Sequence, residues 1–168
     1  MKIEVGGGES PRKPGYKICD IRCLKNVDFC CNATELDKYI PENTVTNVYA
    51  RHFMEHLTFR ETDTFLSVIY KILKPAGEVE IIVPNMTFHI NQWLNKNSSP
   101  PETFEHAKAG FWGWQRGSNE NYWDVHKSGY DKETIHQLVV KHGFVNFSSQ
   151  NMETNAHLHV LFYKPTEE

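Results

Sequence analysis

The chain has 168 residues, which is enough for one domain with its own hydrophobic core. Its hydrophobic content of 39% and charged content of 23% are those of an ordinary globular protein and argue against a disordered chain. The formal net charge of −3 disfavours a nucleic-acid-binding protein that relies on overall positive charge. We therefore predict a single domain over residues 1–168.

Seven strands and two helices are predicted along the chain. Apolar runs predict strands at 2–5, 16–21, 27–31, 45–50, 79–83, 145–147 and 157–163. The stronger helix begins after Thr58, which can form a capping box with Glu61, and ends before Pro75. The other begins at Asp131 and ends at Gly143. This order predicts an α/β fold with a mostly parallel, doubly wound sheet.

The connection between the first two strands is short. Only 11 residues separate Gly8 from Asp20, which is too few for a full crossover helix. The first helix of the usual doubly wound unit is therefore expected to be missing or reduced to a turn.

The connection at 86–130 is long, aromatic and without a clean helical or strand period. Connections of this kind are more often lids or binding segments than passive linkers. We therefore expect 86–130 to be an inserted lid or substrate segment, with 100–130 folded over the carboxyl ends of the strands. The alternative is that its aromatic residues only fill core beneath a long loop.

Four cysteines, Cys19, Cys23, Cys30 and Cys31, lie close together near the start of the chain. Their spacing does not match the paired C-x₂-C pattern of zinc sites. Adjacent cysteines on a strand also point to opposite faces, which makes a shared metal difficult. We expect buried free thiols.

No targeting segment or membrane span is expected. The first ten residues contain one lysine but no apolar stretch of the kind found in secretory signals. No apolar run approaches the ~20 residues that are needed to span a bilayer. We therefore expect a cytoplasmic protein without a membrane partner.

The first strand runs directly into Gly6, Gly7 and Gly8. Glycine lets a ligand approach the backbone closely, because no Cβ stands in the way. A dinucleotide-binding G-x-G-x-x-G loop would need glycine where the chain has Pro11, and no helix follows to hold a pyrophosphate. The loop disfavours an NAD site and is more compatible with a nucleoside that carries no phosphate.

Five segments resemble the motifs of class I S-adenosylmethionine-dependent methyltransferases, in the order that this family has them. They lie at 3–8, 16–21, 31–34, 48–56 and 73–77, and a looser likeness covers 124–130 and 143–144. The resemblance is to small, type 11-like members with a shortened N-terminal half. It implies a Rossmann-like sheet of about seven strands with an antiparallel C-terminal strand, and S-adenosylmethionine as the cofactor.

The resemblance also implies which residues bind the cofactor. Asp20 would bind both ribose hydroxyls, and Asn32 takes the place of the family's adenine-facing aspartate. Ser10 departs from the third glycine of the family's first motif. Glu4 is more readily interpreted as organising the backbone than as a direct ligand. The full implied set is Glu4, Gly6, Gly7, Gly8, Asp20, Ile21, Asn32, Ala33, Arg51 and His52.

The acceptor is expected to be a small or sugar-like molecule. If it is a hydroxyl compound, a histidine base helps to remove its proton. His52 lies at the carboxyl end of the fourth strand, where open α/β sheets bind ligands, and we interpret it as catalytic together with His126. Aromatic walls and orienting polar groups are predicted at Trp112, Trp114, Gln115, Tyr122 and His126.

Two alternatives remain open. A cofactor-binding protein without catalysis is consistent with Asn32 and the shortened first unit. A zinc hydrolase is suggested by His52-x-x-Glu55-His56, which matches an inverted zinc-peptidase motif. That motif requires both histidines on one helix, whereas the helix here is predicted to begin only after Thr58. We therefore expect no metal in the site.

Overall fold

The computed structural model describes residues 1–95, 97, 100–116, 123–152 and 155–166. Within these residues the strands are β1 Lys2–Val5, β2 Lys17–Asp20, β3 Phe29–Cys30, β4 Val45–Arg51, β5 Leu73–Pro84, β6 Val145–Met152 and β7 His157–Tyr163. The α-helices are α1 Phe59–Ile72, α2 Met86–Leu94, α3 Pro101–Trp112 and α4 Lys132–Lys141. Two short 3₁₀ helices cover Ala33–Lys38 and Met54–His56.

The strands form one sheet in the order β3-β2-β1-β4-β5-β7-β6. β1 to β5 pair in parallel, whereas β7 runs antiparallel to both β5 and β6. This confirms the predicted mostly parallel sheet with an antiparallel C-terminal strand. Because β1 to β5 are parallel, their carboxyl ends meet at one edge, which is where ligands bind in open α/β sheets.

The connection from β1 to β2 contains no helix in residues 6–16, all of which the structure describes. The loop is tied back to β1 by Glu4, whose Oε2 accepts a hydrogen bond from the Arg12 N–H at 2.6 Å. Glu4 is 1% exposed. The prediction of a missing first helix is thus confirmed.

Helix α1 has the capping box that the sequence predicts. Thr58 Oγ1 accepts from the Glu61 N–H at 3.2 Å, and Glu61 Oε2 accepts from the Thr58 N–H at 2.7 Å. The apolar face of α1 is buried in the core through Phe65, Leu66 and other side chains. The helix ends earlier than predicted, at Ile72, because β5 begins at once and pairs with β4 from there.

The predicted start of a helix at Asp131 is confirmed, and Asp131 caps it. Asp131 Oδ1 accepts from the Thr134 N–H at 2.8 Å, and α4 then runs to Lys141. Gly143 follows with a φ of +82°, at the predicted end of the helix. No helix in the part of the chain that the structure describes is long and apolar enough to cross a membrane.

The region 86–130 contains two helices that its irregular period did not predict. α2 and α3 pack against each other through aromatic rings, with Trp93 lying 4.7 Å from Phe104 and 5.7 Å from Phe111 between ring centroids. Trp93, Phe104 and Phe111 pack within the helix pair and not against the sheet. The apolar residues of these helices therefore do not form the single stripe by which a sequence pattern predicts a helix.

The prediction for the cysteines is correct for one pair and wrong for the other. Cys19 and Cys31 are buried free thiols. Cys23 and Cys30 form a disulfide, because the turn after β2 brings their Cα atoms to 5.0 Å, within the range that permits the bond. Disulfides are rare in reducing compartments, so this bond does not favour the expected cytoplasmic location.

Candidate active site

A cavity of about 350 Å³, here called the edge cavity, lies at the carboxyl ends of the parallel strands. Many of its lining residues lie at the ends of β1, β2, β3 and β4 or directly after them, which places four strand ends around one ligand-sized space. Predicted cofactor residues on its lining are Gly6, Asp20, Ile21, Asn32, Ala33 and His52. Glu4, Gly7, Gly8 and Arg51 are not among the lining residues.

Asp20 ends β2 and is only 5% exposed. Its carboxylate accepts hydrogen bonds from the backbone N–H groups of Gly8 and Arg22, both at 3.0 Å. The Arg22 guanidinium donates to both carboxylate oxygens, at 3.0 and 3.1 Å. Burial alone would raise the pKa of Asp20, but the hydrogen bonds from Arg22 and Gly8 hold that pKa below its usual range. The cavity therefore has an ionised acceptor at neutral pH.

Asn32 begins the 3₁₀ helix that follows β3. Its Oδ1 accepts a hydrogen bond from the Thr34 N–H at 3.1 Å, so this oxygen serves as the helix N-cap. The same side chain lines the edge cavity beside Ala33 and Cys31. Asn32 thus has a structural role in addition to the ligand role that the resemblance implies.

The turn from β1 into the glycines requires Gly6. Its φ is +69°, and a Cβ at this position would lie 2.8 Å from Phe53 Cδ2. Phe53 in turn packs edge-to-face on Phe65 of α1, with ring centroids 5.3 Å apart. The glycine allows the end of β1 to lie directly against the segment that follows β4.

A second cavity of about 430 Å³ adjoins the edge cavity and is here called the histidine cavity. Six of the nine histidines of the chain line it, namely His52, His56, His89, His106, His126 and His157. Glu55 and Asp124 supply the carboxylates on its lining. His52, His56 and Asp124 line both cavities, so the two spaces meet at these residues.

His52 follows the last residue of β4 and has a φ of +49°, which is uncommon for a non-glycine residue. The conformation is held by a hydrogen bond from the His52 N–H to the Ile82 carbonyl at 2.9 Å. His52 Nδ1 lies 3.2 Å from Glu55 Oε1, and its ring packs edge-to-face on His157 at 4.5 Å. Strain of this kind concentrates at functional sites.

His56 and His126 approach each other with ring centroids 5.2 Å apart. His56 Nδ1 lies 3.0 Å from the carbonyl oxygen of Val125, and His126 Nδ1 lies 2.9 Å from that of Gly110. A carbonyl only accepts, so each Nδ1 carries the proton. Burial lowers the pKa of His126 below its usual range, which favours the neutral ring.

The end of the 86–130 segment is fastened to the turn after β4. Lys127 N–H and Ser128 N–H both donate to the Glu55 carbonyl, at 2.8 and 3.2 Å, and Ser128 Oγ donates to the Met54 carbonyl at 3.3 Å. These bonds place His126 in the same cavity as His52. The contacts of Lys127 and Ser128 thus hold residues 123–130 against the turn after β4.

The residues predicted to bind the acceptor are only partly brought together. Trp114 and His126 line the histidine cavity. Trp112 and Gln115 are not among its lining residues. Trp112 is 47% exposed and packs on Trp93. The Gln115 side chain donates a hydrogen bond to the Trp112 carbonyl at 3.2 Å. Tyr122 lies outside the described residues.

Several residues at the site were not predicted from the sequence. Arg22 and Phe53 line the edge cavity, and His89, His106 and His157 line the histidine cavity. The histidines come from α2, α3 and β7, so their meeting depends on the tertiary fold. The sequence signal for such a cluster is the number of histidines, nine in 168 residues.

The zinc-peptidase geometry is not formed by residues 52–56. Met54–His56 is a 3₁₀ turn, and α1 begins only at Phe59. His52 bonds to Glu55 and does not share a helix face with His56. The motif therefore does not have the structure that its peptidase interpretation requires.

No protein-family model matches the sequence, and no curated protein matches it. Solved structures do match the fold. An Archaeoglobus fulgidus SAM-dependent methyltransferase aligns with a TM-score of 0.65 at 15% identity, over 97% of this chain and 85% of that one. A SAM-dependent methyltransferase from Methanosarcina mazei aligns with a TM-score of 0.64 at 13% identity, over 99% of this chain and 92% of that one. Haemonchus contortus phosphoethanolamine N-methyltransferase 2, solved with S-adenosyl-L-methionine, aligns with a TM-score of 0.61 at 17% identity. The alignment covers 98% of this chain and 48% of that one.

These similarities define the class of fold. The chain has the Rossmann-like fold found in SAM-dependent methyltransferases, with the antiparallel C-terminal pair and without a helix in residues 6–16. This agrees with the resemblance that the sequence motifs indicated.

Proposed function

We propose that this chain is an S-adenosylmethionine-dependent methyltransferase that acts on a small or sugar-like acceptor. The observation that carries the proposal is the junction of the two cavities at His52, His56 and Asp124. Methyl transfer requires donor and acceptor to be held in line, so their two sites have to meet. The edge cavity would hold the cofactor, and the histidine cavity the acceptor.

The edge cavity fits the nucleoside part of the cofactor. The ionised Asp20 can accept hydrogen bonds from the ribose hydroxyls when these replace the two bonds from the Arg22 side chain. Ile21 and Ala33 supply apolar surface on the same lining. Asn32 can contact the adenine amino group in addition to its capping bond. When bound, the cofactor supplies an electrophilic methyl group on a sulfonium.

His52 is the base in this proposal. Its Nδ1–H donates to Glu55 Oε1, which leaves Nε2 able to take the proton of an acceptor hydroxyl as the carbon–oxygen bond forms. The Glu55 carboxylate then stabilises the resulting imidazolium, so Glu55 is a positioning residue for His52. His126 and Trp114 would orient the acceptor on the opposite side of the histidine cavity.

Calorimetry with S-adenosylhomocysteine tests the cofactor assignment. We expect binding at one site per chain in the presence of a chelator, since Asp20 and the other edge-cavity residues need no metal to bind a nucleoside. The absence of both heat and a thermal shift at millimolar ligand would overturn the proposal.

A second measurement separates an enzyme from a protein that only binds the cofactor. Methyl transfer from labelled S-adenosylmethionine is assayed against a panel of hydroxyl compounds, including sugars. Transfer that depends on His52 supports the proposed mechanism. Tight binding of the cofactor with no transfer to any acceptor would favour the non-catalytic alternative.

A further inference from the structure

Glu55, His56 and His126 place one ligand-type atom each within 4.8 Å of the others. Two of them are adjacent in the turn after β4, and the third is brought there by the end of the 86–130 segment. The carboxylate of Glu55 is almost completely buried, with 1% exposure. Two histidines and one carboxylate are a ligand set that occurs at catalytic zinc sites in proteins.

The hydrogen bonds around the two histidines are those of metal ligands. His56 donates through Nδ1 to Val125, and His126 donates through Nδ1 to Gly110. Metal-ligating histidines usually donate their second ring N–H to a backbone carbonyl or a carboxylate, which fixes the ring and the tautomer. In both residues Nε2 therefore holds the lone pair that a metal would use.

Glu55 provides an independent sign of a missing partner. Its Oε1 is bonded to His52, but its Oε2 is buried and has no hydrogen-bond partner among the residues that the structure describes. Leaving a buried carboxylate oxygen without a partner is costly, so native proteins rarely do so. A cation bound by the Glu55 carboxylate would satisfy Oε2, and one ring nitrogen each of His56 and His126 lies within 4.8 Å of a Glu55 carboxylate oxygen and of the other ring nitrogen.

We propose that Glu55, His56 and His126 bind one divalent transition-metal ion, and that Zn²⁺ is the ion that fits best. Tetrahedral ligand atoms about 2.0–2.2 Å from Zn²⁺ lie ~3.3–3.6 Å apart, whereas the three atoms here lie within 4.8 Å of one another, so the trio has to close by up to ~1.5 Å when the ion binds. Three protein ligands leave one tetrahedral position for water or an acceptor oxygen. Metal binding at this site does not depend on the proposed methyl transfer, because the trio is complete without a cofactor.

The proposed site differs from the zinc-peptidase alternative. In the zinc-peptidase interpretation, both histidines of the motif, His52 and His56, would be ligands and Glu55 would be the base. Here His52 bonds to the glutamate, and the second histidine ligand comes from another segment of the chain. With the ion bound, His126 would orient the acceptor through the metal instead of by direct contact.

Cobalt binding tests the proposal on the purified full chain, which is first stripped with a chelator and dialysed. Co²⁺ substitutes for Zn²⁺ and absorbs visible light strongly when it is tetrahedral. We expect one Co²⁺ per chain, displaced by one Zn²⁺. His56→Ala and His126→Ala should each weaken Co²⁺ binding by at least ~100-fold, because loss of even an outer-shell partner costs about 10–100-fold.

Two matched variants control for the many histidines. His106→Ala removes a ring that lines the same cavity but lies outside the trio, and His136→Ala removes an exposed ring on α4. Both should bind Co²⁺ as the unmodified chain does. Glu55→Gln should also lose Co²⁺ binding. If this variant does not fold, His56→Ala and His126→Ala test the assigned ligands.

A cooperative thermal transition shows that each variant is folded, and binding of S-adenosylhomocysteine by the unmodified chain keeps the two proposals separate. A chain that binds this nucleoside but takes up neither Co²⁺ nor Zn²⁺ would overturn the metal site and leave the methyltransferase proposal intact. Equal loss of Co²⁺ binding in His106→Ala and His56→Ala would overturn the assigned ligands.

Discussion

At the scale of single residues, His52 combines a strained backbone with a buried carboxylate partner. Asparagine tolerates a φ near +49° better than other residues with a side chain, so His52→Asn removes the imidazole with little change in the backbone. If His52 is the base, turnover should fall about 10²–10⁴-fold, measured as labelled methyl transfer at saturating cofactor.

The control for His52→Asn is His136→Asn, which changes an exposed histidine on α4. Its turnover should match that of the unmodified chain. Full activity of His52→Asn would remove His52 from the mechanism, whatever happens to cofactor binding.

Asp20 and Asn32 should contribute unequally to cofactor affinity. Hydrogen bonds to an ionised group are worth about 1.5–3 kcal/mol, against about 0.5–1.5 kcal/mol for neutral ones. Asp20→Ala should therefore weaken S-adenosylhomocysteine binding about 10- to 100-fold, and Asn32→Ala by less, both measured by calorimetry.

The stability of the two variants provides a check. Asn32 also caps a 3₁₀ helix, and loss of such a cap costs about 0.5–2 kcal/mol of stability. Asn32→Ala should thus lower the melting temperature more clearly than it lowers cofactor affinity. Equal losses of affinity in the two folded variants would argue against Asp20 as the ribose ligand.

Residue roles were predictable only where a motif fixed them. The position of Asp20 on the edge cavity could be predicted because it ends a strand shortly after the glycines, while its ribose role stays a prediction. The pairing of Glu55 with His52 was not predicted, because it depends on the left-handed turn at His52, which the amino-acid type does not indicate. Trp112 and Gln115 are predicted from their chemistry alone, and they are not among the residues that line the histidine cavity.

At the scale of elements, the close contact between α3 and the 123–130 segment depends on Gly113. Its φ is +76°, and a Cβ there would lie 1.7 Å from the Asp124 carbonyl oxygen. Gly113→Ala should displace residues 123–130, lower the melting temperature and reduce turnover, because Asp124 lines both cavities. The backbone strain alone costs about 1–3 kcal/mol.

Gly15→Ala isolates the steric part of that effect. Gly15 also has a positive φ, +80°, but nothing lies within 4 Å of the position that a Cβ would take. The Gly15→Ala variant should lose stability through backbone strain alone and keep its turnover. Similar turnover in the two variants would show that the contact with Asp124 does not position the site.

His89 on α2 should make stability depend on pH. Burial, with smaller contributions from His106 and His157, lowers the pKa of His89 to about 4 from 6.5. The folded chain therefore binds this proton less readily than the unfolded chain. The stability supplied by the neutral ring is complete above about pH 6.5 and is lost as the pH falls towards 4.

His89→Gln removes this titration while keeping a polar side chain beside Gln92. Melting temperatures are compared between pH 4 and 6.5, with a chelator present so that metal binding does not contribute. The unmodified chain should lose more stability on acidification than the variant does. Parallel curves would show that His89 is not the group responsible.

Element prediction succeeded where local chemistry decides the structure. The capping residues Thr58 and Asp131 mark the starts of their helices because they bond to backbone N–H groups three residues away. α2 and α3 were not predicted, since their rings pack on each other in place of the sheet. The disulfide between Cys23 and Cys30 depends on a turn whose path the spacing does not fix.

At the scale of the whole molecule, the fold could be predicted because its motifs occur in a fixed order along a parallel sheet. The histidine cavity could not, because its residues come from the turn after β4, from β5, β7, α2 and α3, and from the segment before α4. Contacts of this kind depend on how distant elements pack, which no local pattern in the chain specifies.

The helix-free connection after β1 has a consequence for inhibitor selectivity. A helix N-terminus attracts an anion by about 0.3–1 kcal/mol, and residues 6–16, all described, offer none to the amino-acid carboxylate of the cofactor. We expect 5′-methylthioadenosine, which lacks that amino-acid part, to bind within about tenfold of S-adenosylhomocysteine in competition calorimetry. A much larger gap would reveal a carboxylate anchor elsewhere. If the two affinities are similar, nucleoside fragments are effective competitors of the complete cofactor. Small adenosine analogues would then discriminate this chain from enzymes that bind the amino-acid end tightly.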